Sequence, residues 1–86
     1  MPKEQDSEET YLPDIQRKLG ERIRQLRLDR GWSQDTFAHL VGLNRANPNK
    51  IEKAKIDLRF STLARMARVF EISVAELVNV ETEQVK

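Results

Sequence analysis

The sequence contains no cysteine and only one histidine, His39. The lack of cysteine excludes disulfides and cysteine-based metal sites, and a single histidine makes a histidine metal cluster within the chain implausible. No apolar run approaches the roughly 20 residues that a membrane-spanning helix needs. Residues 1–14 are acidic and polar, unlike a secretory signal. We therefore expect a cytoplasmic protein with no metal, no cofactor and no membrane partner.

Patterns that would indicate catalysis are also missing. No His–acid partner set can be assembled around Ser33, Ser61 or Ser73, which suit helix caps better than nucleophiles. The sequence contains no glycine-rich phosphate loop and no pattern of paired carboxylates. A chain of 86 residues forms one domain with a modest core rather than a deep active-site cavity. The sequence therefore predicts a binding protein and not an enzyme.

The charges are distributed unevenly, although the net charge is only +1. Residues 1–14 contain five acids and one base, whereas residues 15–80 contain thirteen Lys or Arg and seven acids. A basic core beside an acidic tail fits a polyanionic partner, while an ordinary solvated surface is the alternative explanation.

The apolar spacing predicts an all-α fold of five short helices joined by tight turns. The first helix should have Pro13 in its first turn, carry apolar residues at helical spacing from Ile15 to Leu26, and end before Gly31. We expect residues 1–14 to form a flexible acidic tail and residues 81–86 a polar tail. The domain would then span residues 15–80.

Residues that favour helix N-caps precede the four later helices: Ser33, Asn44, Ser61 and Ser73. The second helix should stop near Gly42 and the third near Lys53. Glu76 completes an S-x-x-E capping box for the short fifth helix.

The stretch 33–53 has the organisation of a helix-turn-helix, with two helices of about eight residues around one sharp turn. Ala38 is small enough to let the helices approach closely, and Gly42 can adopt the positive φ that the turn needs. Leu43 places an apolar anchor just after the turn. A second helix that projects in this way can enter a DNA major groove.

Residues 19–77 resemble the Cro/phage-repressor-like (XRE) family of helix-turn-helix regulators. The resemblance rests on the segments LGERIRQLRLDRGWSQDTFA, VGLNRANPNKIEKAK and STLARMARVFEISVAEL. It implies a five-helix, lambda-repressor-like DNA-binding domain. The leading hypothesis is a sequence-specific transcriptional regulator that binds double-stranded DNA as a homodimer on a near-palindromic operator.

The resemblance also implies which residues contact DNA. Ser33 and Gln34 begin the second helix, and Gln34 matches a glutamine that contacts phosphate in the family. The early positions of the third, recognition helix match positions that read base edges: Asn44, Arg45, Ala46, Asn47, Asn49 and Lys50. Lys53 and Lys55 would lie close to backbone phosphates.

Arg27 and Glu52 match a family ion pair that joins the first helix to the end of the recognition helix. Two other positions depart from the family pattern. Pro48 replaces an aliphatic core residue, so the recognition helix is displaced, non-α, or delayed until Pro48 lies in its own first turn. Ala54 replaces a glycine, and a positive φ there would cost about 1 kcal/mol.

The fifth helix and its flanks contain more apolar residues than a cap on this core needs: Ile72, Val74, Leu77, Val78 and Val80. We expect some of them to form an exposed patch that serves as the dimer interface. The alternative is that all five close the monomer core.

Two other functions stay open at this point. The chain could be an antitoxin, in which the acidic residues 3–14 wrap a basic protein partner. It could also be a protein-interaction adaptor that keeps the fold without binding DNA.

Overall fold

A computed structural model describes the backbone of residues 2–80 and the side chains of residues 13–80. Within this range the chain forms helices and no strand: α1 (Pro2–Asp29), α2 (Gln34–Val41), α3 (Asn47–Glu52), α4 (Phe60–Phe70) and α5 (Val74–Leu77). The all-α, five-helix architecture is confirmed. None of the described helices is long and apolar enough to cross a membrane.

Helix α1 begins at Pro2 and runs through the segment that was expected to be a flexible tail. Pro13 therefore lies inside the helix and not in its first turn. Residues 3–12 contain mostly good helix formers, and acidic residues favour the positive end of the helix dipole. Residue 15 is therefore not the start of the first helix. The tail expected at residues 81–86 lies outside the described residues.

The core lies where the apolar faces of the helices meet, and eight hydrophobic residues are buried in it: Ile23, Phe37, Val41, Ile51, Met66, Ala67, Phe70 and Leu77. The ring of Phe70 lies at its centre, stacked on Phe37 with centroids 5.3 Å apart and on Trp32 at 5.8 Å. Such pairs add to the stabilisation that apolar burial supplies. Helix α3 packs on α1 and α2, so the core determines how α3 is presented to solvent.

Two of the expected N-caps have the expected geometry. The Ser33 hydroxyl accepts a hydrogen bond from the Thr36 N–H at 3.0 Å. Ser73 and Glu76 form the full capping box of α5. The N-cap expected at Ser61 is wrong, because Arg59 already has extended backbone and its carbonyl accepts from the Leu63 N–H. Helix α4 therefore begins at Phe60.

Helices α3 and α4 both close with a non-glycine residue in the left-handed region. Ala54 has φ 57°, which is the strained conformation considered from the sequence, and Glu71 has φ 62°. At each site the following N–H bonds back into the helix, from Lys55 to Lys50 and from Ile72 to Ala67. This closure satisfies carbonyls that would otherwise end the helix unpaired.

The residues around α5 that were expected to form a dimer patch differ in burial. Leu77 is completely buried in the monomer, so its assignment to a dimer surface is wrong. It closes the core against α4, and Ile72 and Val74 pack against the same core with part of their surface exposed. Ile72, Val74 and Val80 are half-buried, and Val78 is 37% exposed.

Candidate nucleic-acid interface

The turn between α2 and α3 is built around Ala38 and Gly42. Gly42 has φ 82°, and its N–H and that of Leu43 both donate to the Ala38 carbonyl, at 2.9 and 2.8 Å. Ala38 is itself buried, so the helices approach closely at this point. The left-handed conformation explains why the position favours glycine. The turn directs the chain abruptly away from α2.

Helix α3 does not begin at Asn44, and the N-cap expected there is wrong. The Asn44 side-chain oxygen accepts from the Ala46 N–H at 3.1 Å, and its carbonyl accepts from the Asn47 N–H at 2.9 Å. These bonds form a local turn that competes with helix capping. The helix starts at Asn47, with Pro48 in its first turn, where the missing N–H costs little.

The late start divides the expected base-reading residues between a turn and a helix. Asn44, Arg45 and Ala46 are exposed on the turn. On α3 itself, Asn49 and Lys50 are exposed, whereas Asn47 is half-buried. The opposite face of α3 is buried through Pro48, Ile51 and Glu52. A six-residue helix thus presents one polar face to solvent while the other holds it in the core.

Arg27 and Glu52 form an ion pair in which the two side chains are only 8% and 3% exposed. The guanidinium makes two contacts with the carboxylate, Nε to Oε2 at 2.6 Å and Nη2 to Oε1 at 3.2 Å. Arg27 also donates to the Trp32 carbonyl at 2.7 Å. The Gln34 amide donates to the same carboxylate at 3.2 Å. One buried carboxylate therefore joins α1, α2 and the end of α3.

Gln34 was expected to contact phosphate, and its hydrogen bond to Glu52 is compatible with that role. The side chain is half-buried at the start of α2, beside the exposed cap Ser33. A primary amide has two N–H donors and one acceptor oxygen. One donor on Glu52 therefore fixes the amide in place and leaves the other available for a ligand.

Gly20 is a structural residue of this site that the sequence analysis did not identify. It lies inside α1, where a Cβ atom would come within 2.7 Å of the carbonyl oxygens of Ile51 and Glu52. Real Cβ atoms do not approach backbone oxygens so closely, so α1 and the end of α3 meet at this distance only because residue 20 is glycine. A glycine inside a helical pattern was the available signal.

Some of the basic residues support the fold instead of facing a ligand. Arg22 donates to the carbonyls of Glu76 and Leu77 at the end of α5. Arg30 donates to the carbonyl of Phe70 at the end of α4. Cations at helix C-termini satisfy carbonyls and interact favourably with the dipole. These two arginines therefore fasten α4 and α5 to the body of the domain.

Other cations are paired within one helix or have no carboxylate partner in the described part of the chain. Arg17 and Lys18 both contact Asp14, and the hydrogen bond from Arg17 lowers the pKa of that carboxyl. No carboxylate among residues 13–80 lies within ion-pairing distance of the following cations: Arg24, Lys50, Lys53, Lys55, Arg59, Arg65 and Arg68.

Four of these cations follow one another along α3 and the loop after it. Lys50 is on the exposed face of α3, Lys53 and Lys55 are at its end, and Arg59 is the exposed residue just before α4. Arg59 was not among the residues expected to contact DNA. Its position just before a helix, four residues after Lys55, was the sequence feature that could have indicated it.

Comparison with known proteins places this geometry in a family. A family model for a helix-turn-helix domain matches residues 18–79. The chain is similar to the crystal structure of the restriction-modification controller protein C.AhdI from Aeromonas hydrophila, with 33% sequence identity and a TM-score of 0.69. That match covers 74% of this chain and 96% of the controller protein.

Further matches come from Neisseria, one in sequence and one in structure, and from one protein complex. A hypothetical transcription factor of Neisseria meningitidis serogroup B is 26% identical over 73 residues, which are 85% of this chain and 69% of that protein. The crystal structure of the hypothetical transcription factor NHTF from Neisseria shares the fold, with 24% identity, a TM-score of 0.73, and coverage of 83% and 82%.

A chain of the SinR–SinI protein complex has 25% identity and a TM-score of 0.68, covering 79% of this chain and 67% of that one. The family match spans all the helices that build the interface, from the body of α1 to α5. The chain therefore belongs to the helix-turn-helix family, among DNA-binding regulators of the Cro/phage-repressor (XRE) type.

Proposed function

We propose that the protein is a sequence-specific transcriptional regulator that binds double-stranded DNA as a homodimer on a near-palindromic operator. The observation that carries the proposal is the polar face of α3 with Lys50, Lys53 and Lys55 beside it. Glu52, the one carboxylate of α3, is buried against Arg27 and does not oppose a polyanion. Surface lysines without paired acids attract DNA phosphates.

Within this proposal, the residues divide into base readers and phosphate contacts. The readers are the exposed polar side chains of the turn and α3: Asn44, Arg45, Asn49 and Lys50. Arg and Lys suit guanine O6 and N7, and Asn suits adenine N6 and N7. Ala46 is exposed but offers only an apolar contact, and Asn47 is half-buried.

Phosphates would be bound on both sides of these readers. Ser33 and Gln34 lie at the start of α2, where backbone N–H groups favour an anion. Lys53, Lys55 and Arg59 lie beyond the end of α3. Phosphate contacts position the protein without carrying sequence information, which is the role we assign to these five residues.

The homodimer would use the apolar surface that remains beside α5. Leu77 is excluded because it is buried, which leaves Ile72, Val74, Val78 and Val80, all partly exposed. An isologous contact uses the same patch on both subunits, and it would set the distance between the two α3 helices. This geometry requires operator half-sites about one helical turn apart.

The roles of Gln34 and Lys50 can be tested by fluorescence anisotropy on an operator and on unrelated DNA at one fixed salt concentration. Gln34→Ala should weaken binding to all sequences alike, because it removes a phosphate contact. Lys50→Ala should cost about 1–3 kcal/mol on the operator and relax the preference at one base position. If both variants bind the operator like the wild type, the assignment of the interface is wrong.

A second candidate function is that of an antitoxin, in which residues 3–14 bind a basic protein partner. In the structure this acidic segment belongs to α1, which begins at Pro2. Co-purification with a small basic protein, or a toxin gene beside its own, would support it. An adaptor that does not bind DNA would cause no gel shift with any duplex, including the promoter of its own gene.

A further inference from the structure

The guanidinium of Arg45, in the turn before α3, lies against the carboxylate of Asp35 in the first turn of α2. The contact is side-on, with Nε to Oδ1 at 3.4 Å and Nη2 to Oδ2 at 3.0 Å. Both side chains remain open to solvent, with exposed fractions of 83% and 63%. The pair thus joins the start of α2 to the turn before α3 at the proposed DNA surface.

The stability of the domain does not explain this pair. Ion pairs as exposed as this one contribute little, because water and salt screen them and both side chains lose rotamer freedom. An unpaired carboxylate at the same place would also repel DNA phosphates. The first turn of α2 by itself favours the negative charge of Asp35. On a DNA-binding face, however, that charge is unfavourable unless it is used.

The N–H donors that Arg45 has left after pairing with Asp35 indicate how the carboxylate is used. Arginine has five N–H donors, and Asp35 occupies the edge formed by Nε and one N–H of Nη2. The end edge, with one N–H each from Nη1 and Nη2, is not used by this contact. Two parallel donors at that spacing match the O6 and N7 acceptors of guanine. A long side chain that is already held also loses less rotamer entropy when it binds.

We propose that Asp35 is a positioning residue that holds Arg45 so that the end edge of its guanidinium reads one guanine of the operator. The inference rests on the proposed function, because it needs the turn before α3 to face base edges. Asp35 itself touches no base. It contributes specificity through Arg45 and reduces general affinity for DNA, so its two effects have opposite signs.

The test is a mutant cycle of Asp35→Asn, Arg45→Ala and the double variant, measured by anisotropy at fixed salt. Each protein is titrated with the operator, with a panel carrying every base pair at each position, and with unrelated duplex. Asp35→Asn should lower the preference for guanine at one position about fivefold, because Arg45 is then free to adopt other rotamers. The same variant should bind unrelated duplex more tightly, because one negative charge is removed.

Arg45→Ala should abolish the preference at the same position, and adding Asp35→Asn to it should change that preference no further. The double variant should nevertheless bind all duplexes better than Arg45→Ala, which leaves the Asp35 carboxylate unpaired. Asp29→Asn is the matched control, since it removes an exposed carboxylate near the end of α1. It should leave the base preference unchanged. Thermal unfolding of each variant confirms that it is folded.

Different outcomes separate the inference from the proposed function. If Arg45→Ala loses the preference while Asp35→Asn keeps or strengthens it, Asp35 does not position Arg45 and the inference is overturned. If Arg45→Ala changes no base preference, Arg45 is not a base reader and the inference is also overturned, while Lys50 and Asn49 still test the interface. If the wild type prefers no sequence, the proposed function itself fails.

Discussion

Replacing Glu52 with alanine is expected to lower the free energy of unfolding by about 3–5 kcal/mol, because it breaks a buried ion pair from one side. The Arg27 side chain is only 8% exposed, so the guanidinium stays buried without a counter-ion. Of its described partners only the Trp32 carbonyl remains. The Gln34 amide loses its acceptor at the same time.

This loss is large for a chain of 86 residues. A typical stability of 0.05–0.15 kcal/mol per residue gives the whole domain about 4–13 kcal/mol. The variant should therefore be partly unfolded at physiological temperature. Urea unfolding followed by far-ultraviolet circular dichroism measures the change. The matched control is Asp35→Ala, which removes the acid of the exposed pair with Arg45 and should change stability by about 0–1 kcal/mol.

A double variant, Arg27→Met with Glu52→Leu, separates the effect of the ion pair on stability from its effect on the position of Gln34 and α3. Replacing a buried pair with apolar residues of similar size is often neutral or stabilising, so most of the lost stability should return. DNA affinity should recover less, because the carboxylate that joined α2 to α3 through Gln34 is gone. If the free energy of unfolding of Glu52→Ala lies within about 1 kcal/mol of the wild-type value, the buried pair contributes no more than a surface pair does.

Three further predictions concern the fold and the dimer. Gly20→Ala should lower stability by about 1–3 kcal/mol in urea unfolding, because its Cβ meets backbone oxygens of α3 at 2.7 Å; an unchanged midpoint would contradict this. Ala54→Gly should raise stability by about 1 kcal/mol, because φ there is 57°; a loss of stability would show that the residue is unstrained. Val78→Glu should give a folded monomer in sedimentation, since Val78 is partly exposed. A wild-type monomer at tens of micromolar would remove the dimer proposal. Leu40→Glu is the control, because Leu40 is an exposed apolar residue of α2 outside the proposed patch.

Much of the fold follows from local sequence signals. The turn at Gly42 and the caps at Ser33 and Ser73 depend on residues within five positions of one another, so a single stretch of sequence predicts them. The start of α3 could not be decided in the same way. Asn44 can cap a helix or close a local turn with the same oxygen, and the turn forms because Pro48 suits a first turn.

Features that depend on contacts between helices were harder to predict. An apolar count identifies the residues around α5 but not which of them faces inward, and Leu77 is recognised as core only once α4 is in place. The contact of Gly20 with α3 and the pair between Asp35 and Arg45 also join separate elements. The Arg27–Glu52 pair was expected because a family pattern, and not spacing, indicated it.

Selection from a random pool of duplexes shows whether this domain reads a DNA sequence as a dimer. The wild type should enrich one near-palindrome with half-sites about 10 base pairs apart, and its affinity should fall steeply with salt. Lys50→Ala should relax that motif at one symmetric pair of positions. A wild type that enriches no motif would show that the domain does not read a sequence, and a single asymmetric site bound by one monomer would show that it does not read one as a dimer.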